Sequence, residues 1–304
     1  MYDLIIIGGG PAGMTAGIYA ARKKIKTLLL SKDIGGQMSW SADIENYTGF
    51  SMISGADLTE IFKEHLEEQK ENLEVKIGVE VVQIEKNITS IEVRDRQGSA
   101  YFCKSLIIAT GRTSKKLGIL GEKEFFGHGV ATCATCDAPL YKNKVVAVIG
   151  GGNSALDAII SLSKVAKTLY CININSSMGG EEFLRSRILN QANIKFFYET
   201  ETLQILGKEN VNGIKIRSHA GDVQNLAVDG VFVEIGYEPN VDFDKITQKN
   251  HAEEIVVDKN LETNIPGIFA AGDVNDSWGE QIIIAAGEGA KAALSASEYL
   301  NSLK

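Results

Sequence analysis

The chain has 304 residues, 44% of them apolar and 23% charged, and a formal net charge of −8. That length leaves room for two domains with a core each, and the composition has no bias toward disorder. The acidic balance speaks against nucleic acid or an anionic membrane surface as main partner, though not against a small protein with a complementary face.

Met1-Tyr2-Asp3 runs straight into Leu4–Ile7 with no basic region or cleavage site, so a signal peptide is not expected. No apolar run approaches the ~20 residues of a membrane span. Four cysteines, only two of them close together, do not form a secreted disulfide framework. The expectation is a soluble cytoplasmic protein.

Leu4–Ile7 reads as a strand buried on both faces of a parallel sheet. It enters Gly8-Gly9-Gly10-Pro11-Ala12-Gly13, followed by a helix to about Lys23 and a strand over Thr27–Leu30. Gly8, Gly10 and Gly13 make G-x-G-x-x-G between strand and helix. Two of these glycines allow a tight turn and close approach of a pyrophosphate, and the third allows the helix to pack on the strand. Alone the motif could be a plain tight turn; its strand–loop–helix–strand setting favours a dinucleotide. The acid usual at the end of the second strand is replaced by Ser31-Lys32-Asp33.

Gly35-Gly36-Gln37 and Ile44-Glu45-Asn46-Tyr47 read as loops. A helix is expected over about 55–72, opened by Ser54 with Asp57 three residues on and carrying Leu58, Ile61, Phe62 and Leu66 on its apolar side. Strands follow at Glu74–Lys76, Val79–Glu85, Ser90–Asp95 and Tyr101–Phe102, then a separate one at Leu106–Ile108 ending in Ala109-Thr110-Gly111. That small-residue ending admits a cofactor, or is simply a structural turn.

Cys133-Ala134-Thr135-Cys136-Asp137 is a dithiol with an acid beside it. In a cytosolic setting such a pair is redox-active or metal-binding rather than a staple. A zinc site needs four ligands. The remaining candidates, Cys103, Cys171, His65, His128, His219 and His251, are scattered, so no metal is expected. Cys103 and Cys171 read as small buried hydrophobes in strands, and His128 as a loop residue.

Val145–Ile149 leads into Gly150-Gly151-Gly152-Asn153-Ser154-Ala155, a helix to about Ala166 and a strand over Thr168–Ile174. Here G-x-G-x-x-A falls on Gly150, Gly152 and Ala155, with Asn153 at the helix start. The device of residues 8–13 thus recurs about 140 residues later, and the fold class expected is α/β with two Rossmann-like dinucleotide-binding domains. The end of the strand normally carries an acid for an NADH ribose or a basic cluster for an NADPH phosphate. It reads Asn173-Ile174-Asn175-Ser176-Ser177, with neither. Arg185 and Arg187 lie further on and either face a phosphate or are solvated helix charges. Finally, Ile268-Phe269-Ala270-Ala271-Gly272-Asp273 sets a carboxylate on a turn where it can accept ribityl or ribose hydroxyls. A helix over about 281–300 aims its N-terminus at the same place, where the pyrimidine edge of a flavin finds partial positive charge.

These motifs, in this order, resemble the low-molecular-weight thioredoxin reductase family and the related flavoprotein subunit of alkyl hydroperoxide reductase. The resemblance covers nearly the whole chain and rests on Gly8–Gly13, Gly35-Gly36-Gln37, Glu45-Asn46, Ala109-Thr110-Gly111, Cys133–Cys136-Asp137, Gly150–Ala155, and Gly272-Asp273 with Gln281. It implies a discontinuous FAD-binding domain (1–114 and 240–304) with a nucleotide-binding, dithiol-bearing domain (115–239) inserted into it. FAD would use Gly8, Gly10, Gly13, Gly36, Gln37, Asn46, Ala109, Thr110, Gly111, Gly272, Asp273, Gln281 and Ile282. A pyridine nucleotide would use Gly150, Gly152, Asn153 and Ala155. The implied assembly is a homodimer whose inserted domain swings.

The implied roles put Cys136 beside the flavin and make Cys133 the attacking thiol, helped by an adjacent helix N-terminus, with Asp137 moving the proton. The hydroperoxide reductase flavoprotein carries an additional N-terminal dithiol domain, whereas this sequence begins at the first flavin strand. The expected acceptor is therefore a separate protein, thioredoxin or one like it. The donor is open between NADPH, NADH and, as in some relatives, ferredoxin or a deazaflavin. Glu280 stands where the family usually has Arg or Lys, and its charge would oppose an anionic reduced flavin. A second class of function, a slow flavin-binding redox sensor, is disfavoured by the intact dithiol and its acid.

Overall fold

Strand β1 (Tyr2–Ile7) is buried from Leu4 onward, as a run without polar residues demands at the centre of a parallel sheet. The computed structural model describes residues 1–41, 44–189 and 191–303, apart from the side chains of Thr135 and Cys136. After β1 come α1 (Pro11–Arg22), β2 (Thr27–Ser31), α2 (Gly55–Glu67), β3 (Leu73–Ile77), β4 (Val81–Lys86), β5 (Ile91–Asp95), β6 (Ala100–Ile108) and β7 (Arg112–Ser114). The middle of the chain forms β8 (Val130–Ala131), α3 (Ala134–Asp137), β9 (Val145–Ile149), α4 (Asn153–Ser163), β10 (Thr168–Ile172), α5 (Glu182–Ile188) and β11 (Ile194–Phe197). It continues through β12 (Thr200–Gly207), β13 (Val211–Ser218), β14 (Val223–Leu226) and β15 (Gly230–Val233). The chain ends with β16 (Tyr237–Pro239), β17 (Ile268–Ala270) and α6 (Ile282–Ser302).

Two compact units result, one of Met1–Thr113 with Glu238–Lys304 and one of Ser114–Tyr237. The chain passes between them on β7 and β16, which pair as a two-stranded ribbon.

The first unit is built on a seven-stranded sheet ordered β3-β2-β1-β6-β5-β4, with β17 also pairing β6. Its parallel part, β3-β2-β1-β6-β17, reverses strand order beside β1, the position at which doubly wound sheets bind ligands. α1 and α6 pack so closely that a Cβ on Gly289 would lie 2.0 Å from the Ala12 carbonyl oxygen. The second unit repeats the plan with a five-stranded parallel sheet, β11-β10-β9-β15-β8, and adds an antiparallel sheet, β12-β13-β14. Its strand β9 holds the place that β1 holds in the first. The fold class is α/β with two Rossmann-like units.

Two elements differ from the sequence-based expectation. α2 opens as expected, with Ser54 Oγ accepting the Asp57 amide at 3.1 Å, but it closes at Glu67 rather than near 72. No apolar residue lies between Leu66 and Leu73 to bury a further turn, so the chain turns early toward β3. On the same helix Leu58 and Leu66 are buried and Phe62 is half-buried, whereas Ile61 is 43% exposed and lies off the buried stripe. The separate strands at Tyr101–Phe102 and Leu106–Ile108 are one strand, β6. Its first half pairs antiparallel with β5 and its second half parallel with β1 and β17. Among the described residues, no helix is long and apolar enough to cross a membrane.

Candidate active site

In the first unit the three glycines of the loop after β1 have different tasks. Gly8, at φ +116°, leaves 2.1 Å between an added Cβ and the Ala109 carbonyl oxygen, and a Cβ on Gly13 would lie 1.9 Å from the Gly8 carbonyl oxygen. These two are glycine because backbone presses on backbone. Gly10, the residue that caps α1, is different: a Cβ there meets nothing within 4 Å. Its space is open to a ligand.

The remaining flavin-side residues gather around this loop. Gly35 donates its amide to the Gly9 carbonyl at 2.8 Å, which brings Gly36 (φ +53°) against the Cα of Gly10. Gln37 turns its side-chain amide to the Arg112 carbonyl at 2.8 Å. Ala109, buried at the end of β6, passes into Thr110, whose hydroxyl donates to the Asn240 carbonyl at 2.8 Å, and Gly111 (φ +59°), whose carbonyl accepts the Asn240 amide. Gly272 (φ +76°) faces Ala12 and Ala285, so the turn at the end of β17 is wedged between the starts of α1 and α6. Gln281 caps α6 ahead of Ile282 and accepts from the Asn46 amide at 2.8 Å.

Asp273 is half-buried on this turn. Burial first, then the Glu280 charge, push its carboxyl up to about 6; Glu288 pushes the same way and Arg112 opposes them. Glu288 accepts the Gly272 amide at 2.8 Å and the Asn275 side-chain amide at 2.7 Å, which fixes the turn. Glu280, whose charge the sequence sets against a reduced flavin, forms an ion pair with Arg112 at 2.9 Å. Arg112 and Glu254 belong to no motif of the sequence, whereas Glu288 lies in the run that opens the last helix. The one available signal is that Arg112 follows Ala109-Thr110-Gly111 directly.

The loop after β9 repeats the arrangement. Gly150 (φ +141°) would press a Cβ to 2.0 Å from the Glu234 carbonyl oxygen, while one on Gly152 meets nothing within 4 Å, and Ala155 packs where Gly13 does in the first loop. Much of this loop is held by its own chain. The Gly179 amide donates to the Gly151 carbonyl at 2.7 Å, and the Asn153 side-chain oxygen accepts the Glu181 amide at 2.8 Å.

Asn173, in the acid's usual place, is buried and packs under Gly151. Its side chain donates to the Ser177 carbonyl at 2.8 Å and accepts the Asn175 amide at 3.0 Å. Arg187 is exposed and lies over the Phe183 ring. Arg185 is half-buried, and among the described residues its Nε has no hydrogen-bond partner. Glu234, at the end of β15, is buried; that burial, with the nearby Asp157 charge, pushes its carboxyl up to about 8.

Cys133 is disulfide-bonded and stands directly before α3, whose Asp137 donates its amide to the Cys133 carbonyl at 3.2 Å. The expected second member, Cys136, has its side chain outside the described residues. α3 is a single turn, so its dipole is small beside that of a full helix. Cys103 and Cys171 are free and buried, and burial pushes the Cys103 thiol up to about 12 and the Cys171 thiol higher. His128 lies in an exposed turn ahead of β8.

Residues 2–289 match the family model described as pyridine nucleotide-disulphide oxidoreductase. The chain belongs to this family. Its members are flavoprotein oxidoreductases that use a nicotinamide nucleotide. Among curated proteins, an alkyl hydroperoxide reductase component of Staphylococcus aureus is 38% identical over 301 residues, 98% of this chain and 59% of the relative. The chain therefore spans about three-fifths of that relative's length. Among solved structures, the thioredoxin reductase of Lactococcus lactis is 34% identical with a TM-score of 0.91, covering 99% of this chain and 100% of the other. A ferredoxin-flavin thioredoxin reductase of Clostridium acetobutylicum is also 34% identical, with a TM-score of 0.56 over 99% of this chain and 98% of the other.

Proposed function

We propose that this chain is a protein-disulfide reductase that takes electrons from a pyridine nucleotide through FAD and the Cys133–Cys136 dithiol, and delivers them to thioredoxin or a similar small redox protein. The observation that carries this reading is the disulfide-bonded Cys133 in a chain whose two units each carry an open Gly-rich loop. The first unit fits FAD. Backbone at Gly10 and Gly36 leaves space for a pyrophosphate, the start of α1 offers amides, and the Asp273 carboxylate would accept ribityl hydroxyls. When bound, FAD supplies the two-electron redox chemistry.

This chain's residues do the rest. The Cys133 thiolate attacks one sulfur of the acceptor disulfide, forming a mixed disulfide and releasing the acceptor's other sulfur as a thiolate. The Cys136 thiolate then displaces the acceptor from Cys133, closing the Cys133–Cys136 disulfide and leaving the acceptor as a dithiol. Asp137, tethered beside the sulfurs, moves the proton. The assembly proposed is a homodimer.

The donor has two readings. The Gly150–Ala155 loop, open at Gly152, supports NADPH or NADH. The second reading, ferredoxin, is favoured by Asn153 and Asn173, whose side chains are spent on the Glu181 amide and the Ser177 carbonyl rather than left free for a ribose. The test is to add NADPH, NADH or reduced ferredoxin in turn to the flavin-loaded protein without oxygen and to follow the flavin absorbance. Bleaching by a nicotinamide nucleotide is expected; bleaching by ferredoxin alone replaces that donor. A loaded protein that bleaches yet reduces no thioredoxin-like disulfide loses the proposed acceptor.

A further inference from the structure

Arg112 is the first residue of β7, immediately after the Ala109-Thr110-Gly111 turn, and its side chain is only 14% exposed. A guanidinium so far out of water requires charged and polar partners. Its Nε donates to the Asp273 carbonyl at 2.8 Å, its Nη2 bonds Glu254, and the same Nη2 pairs with Glu280 at 2.9 Å. Its own carbonyl accepts from Gln37. Three segments far apart in sequence meet at this residue, and two of them carry Gln37, Asp273 and Glu280.

The acids around it are held in place. The Asn250 side-chain amide donates to Glu254 at 2.6 Å, and the Asn250 side-chain oxygen accepts the Glu254 amide at 3.0 Å, so that loop folds on itself beneath the carboxylate. Among the described residues, the ion pairs of both Glu254 and Glu280 go to Arg112. Without it the half-buried Glu254 and the exposed Glu280 would both lack their cation near Asp273.

On the reading that the first unit holds FAD, we propose that Arg112 is a positioning residue that sets the charge beside the flavin. It neutralises Glu280 and ties the loop of residues 273–281 to Gln37. The acid that precedes Gln281 would then not oppose negative charge on a bound ring, and Arg112 would supply the positive charge that the family usually carries at that position. Because charge beside the ring acts on reduced and oxidised flavin differently, the consequence is readable in flavin affinity and midpoint potential, without turnover.

The test compares wild type with Arg112→Met, Arg112→Lys, Glu280→Gln and the double variant Arg112→Met/Glu280→Gln. The readouts are the FAD dissociation constant, from quenching of flavin fluorescence, and the midpoint potential, from equilibration with a reference dye. Arg112→Met is expected to bind FAD about tenfold more weakly and to lower the potential, in line with coupling between residues of one charged network. Glu280→Gln, a change at a surface-exposed acid, raises the potential. Arg112→Lys, which keeps the charge, stays closer to wild type in potential than Arg112→Met does. The double variant lies nearer wild type than Arg112→Met alone, because the repelling acid is gone.

Strictly additive effects would make Arg112 a packing residue only and overturn the proposal. If Arg112→Met does not fold, an unchanged potential in Glu280→Gln overturns it equally. A wild-type protein that takes up no FAD overturns the flavin reading itself. One that binds FAD with all four variants unchanged overturns only the role of Arg112.

Discussion

Gly8 and Gly10 stand two residues apart and have opposite requirements. Gly8 is pinned by the Ala109 carbonyl and Gly13 by Gly8 itself, while Gly10 borders empty space. Gly13→Ala should therefore destabilise the fold by about 2 kcal/mol or more, visible as a lower melting temperature with or without flavin. Gly10→Ala should melt close to wild type yet retain little flavin through purification, seen as loss of visible absorbance per protein. A Gly10→Ala protein that keeps full flavin would move the pyrophosphate away from this loop.

Glu234 offers a second test at this scale. Its carboxyl is raised from 4.5 to about 8, so the folded protein holds this proton more tightly than the unfolded chain does. The stability it contributes is present below about pH 4.5 and disappears as pH rises through about 8. Glu234→Gln should flatten the decline across that window and, at pH 9 without nucleotide, leave the protein more stable by a few kcal/mol, on the order of the shift. Parallel melting curves of variant and wild type from pH 5 to 9 would refute this. The acid is visible in the sequence inside the apolar run 230–236, but not its dryness, which depends on what packs over the end of β15.

At the level of elements, starts are more legible than ends. The Ser54–Asp57 box marks the opening of α2 because capping is a contact between residues three apart. Ser54→Ala should cost about 1 kcal/mol of stability, measurable by denaturant unfolding, and no measurable loss would mean the cap is replaced by water. Where α2 stops is set by β3, whose Leu73 must reach the core; periodicity alone carries the helix five residues too far. β6 shows the same limit. Lys104 and Ser105 look like a break between two strands. Distant partners absorb them instead: Lys104 pairs with Asp3 at 2.7 Å, and the Ser105 hydroxyl donates to the Gly267 carbonyl at 2.9 Å. Polar residues interrupt a strand only when nothing across the sheet can satisfy them.

For the whole molecule, the proposed function assigns the first half of the reaction to one unit and the disulfide to the other. Cys133→Ser should separate them. The flavin should still bleach with whichever donor serves wild type, while transfer to a thioredoxin disulfide falls at least about 100-fold, since the hydroxyl is a far weaker nucleophile. Unimpaired transfer would mean that another thiol attacks the acceptor.

The sequence by itself determined the α/β class, the duplicated dinucleotide device and the dithiol, because each is written in short-range rules: alternation of strand and helix, glycine spacing, two cysteines on one turn. Only the tertiary structure decided what the charges and amides do. Arg112 meets Glu254 and Glu280, and Asn173 folds back under Gly151, across gaps of up to about 170 residues that no local pattern spans. The physical reason is that backbone conformation is governed by neighbours in the chain, whereas a buried charge or amide takes whatever partner the packed fold brings within hydrogen-bonding reach.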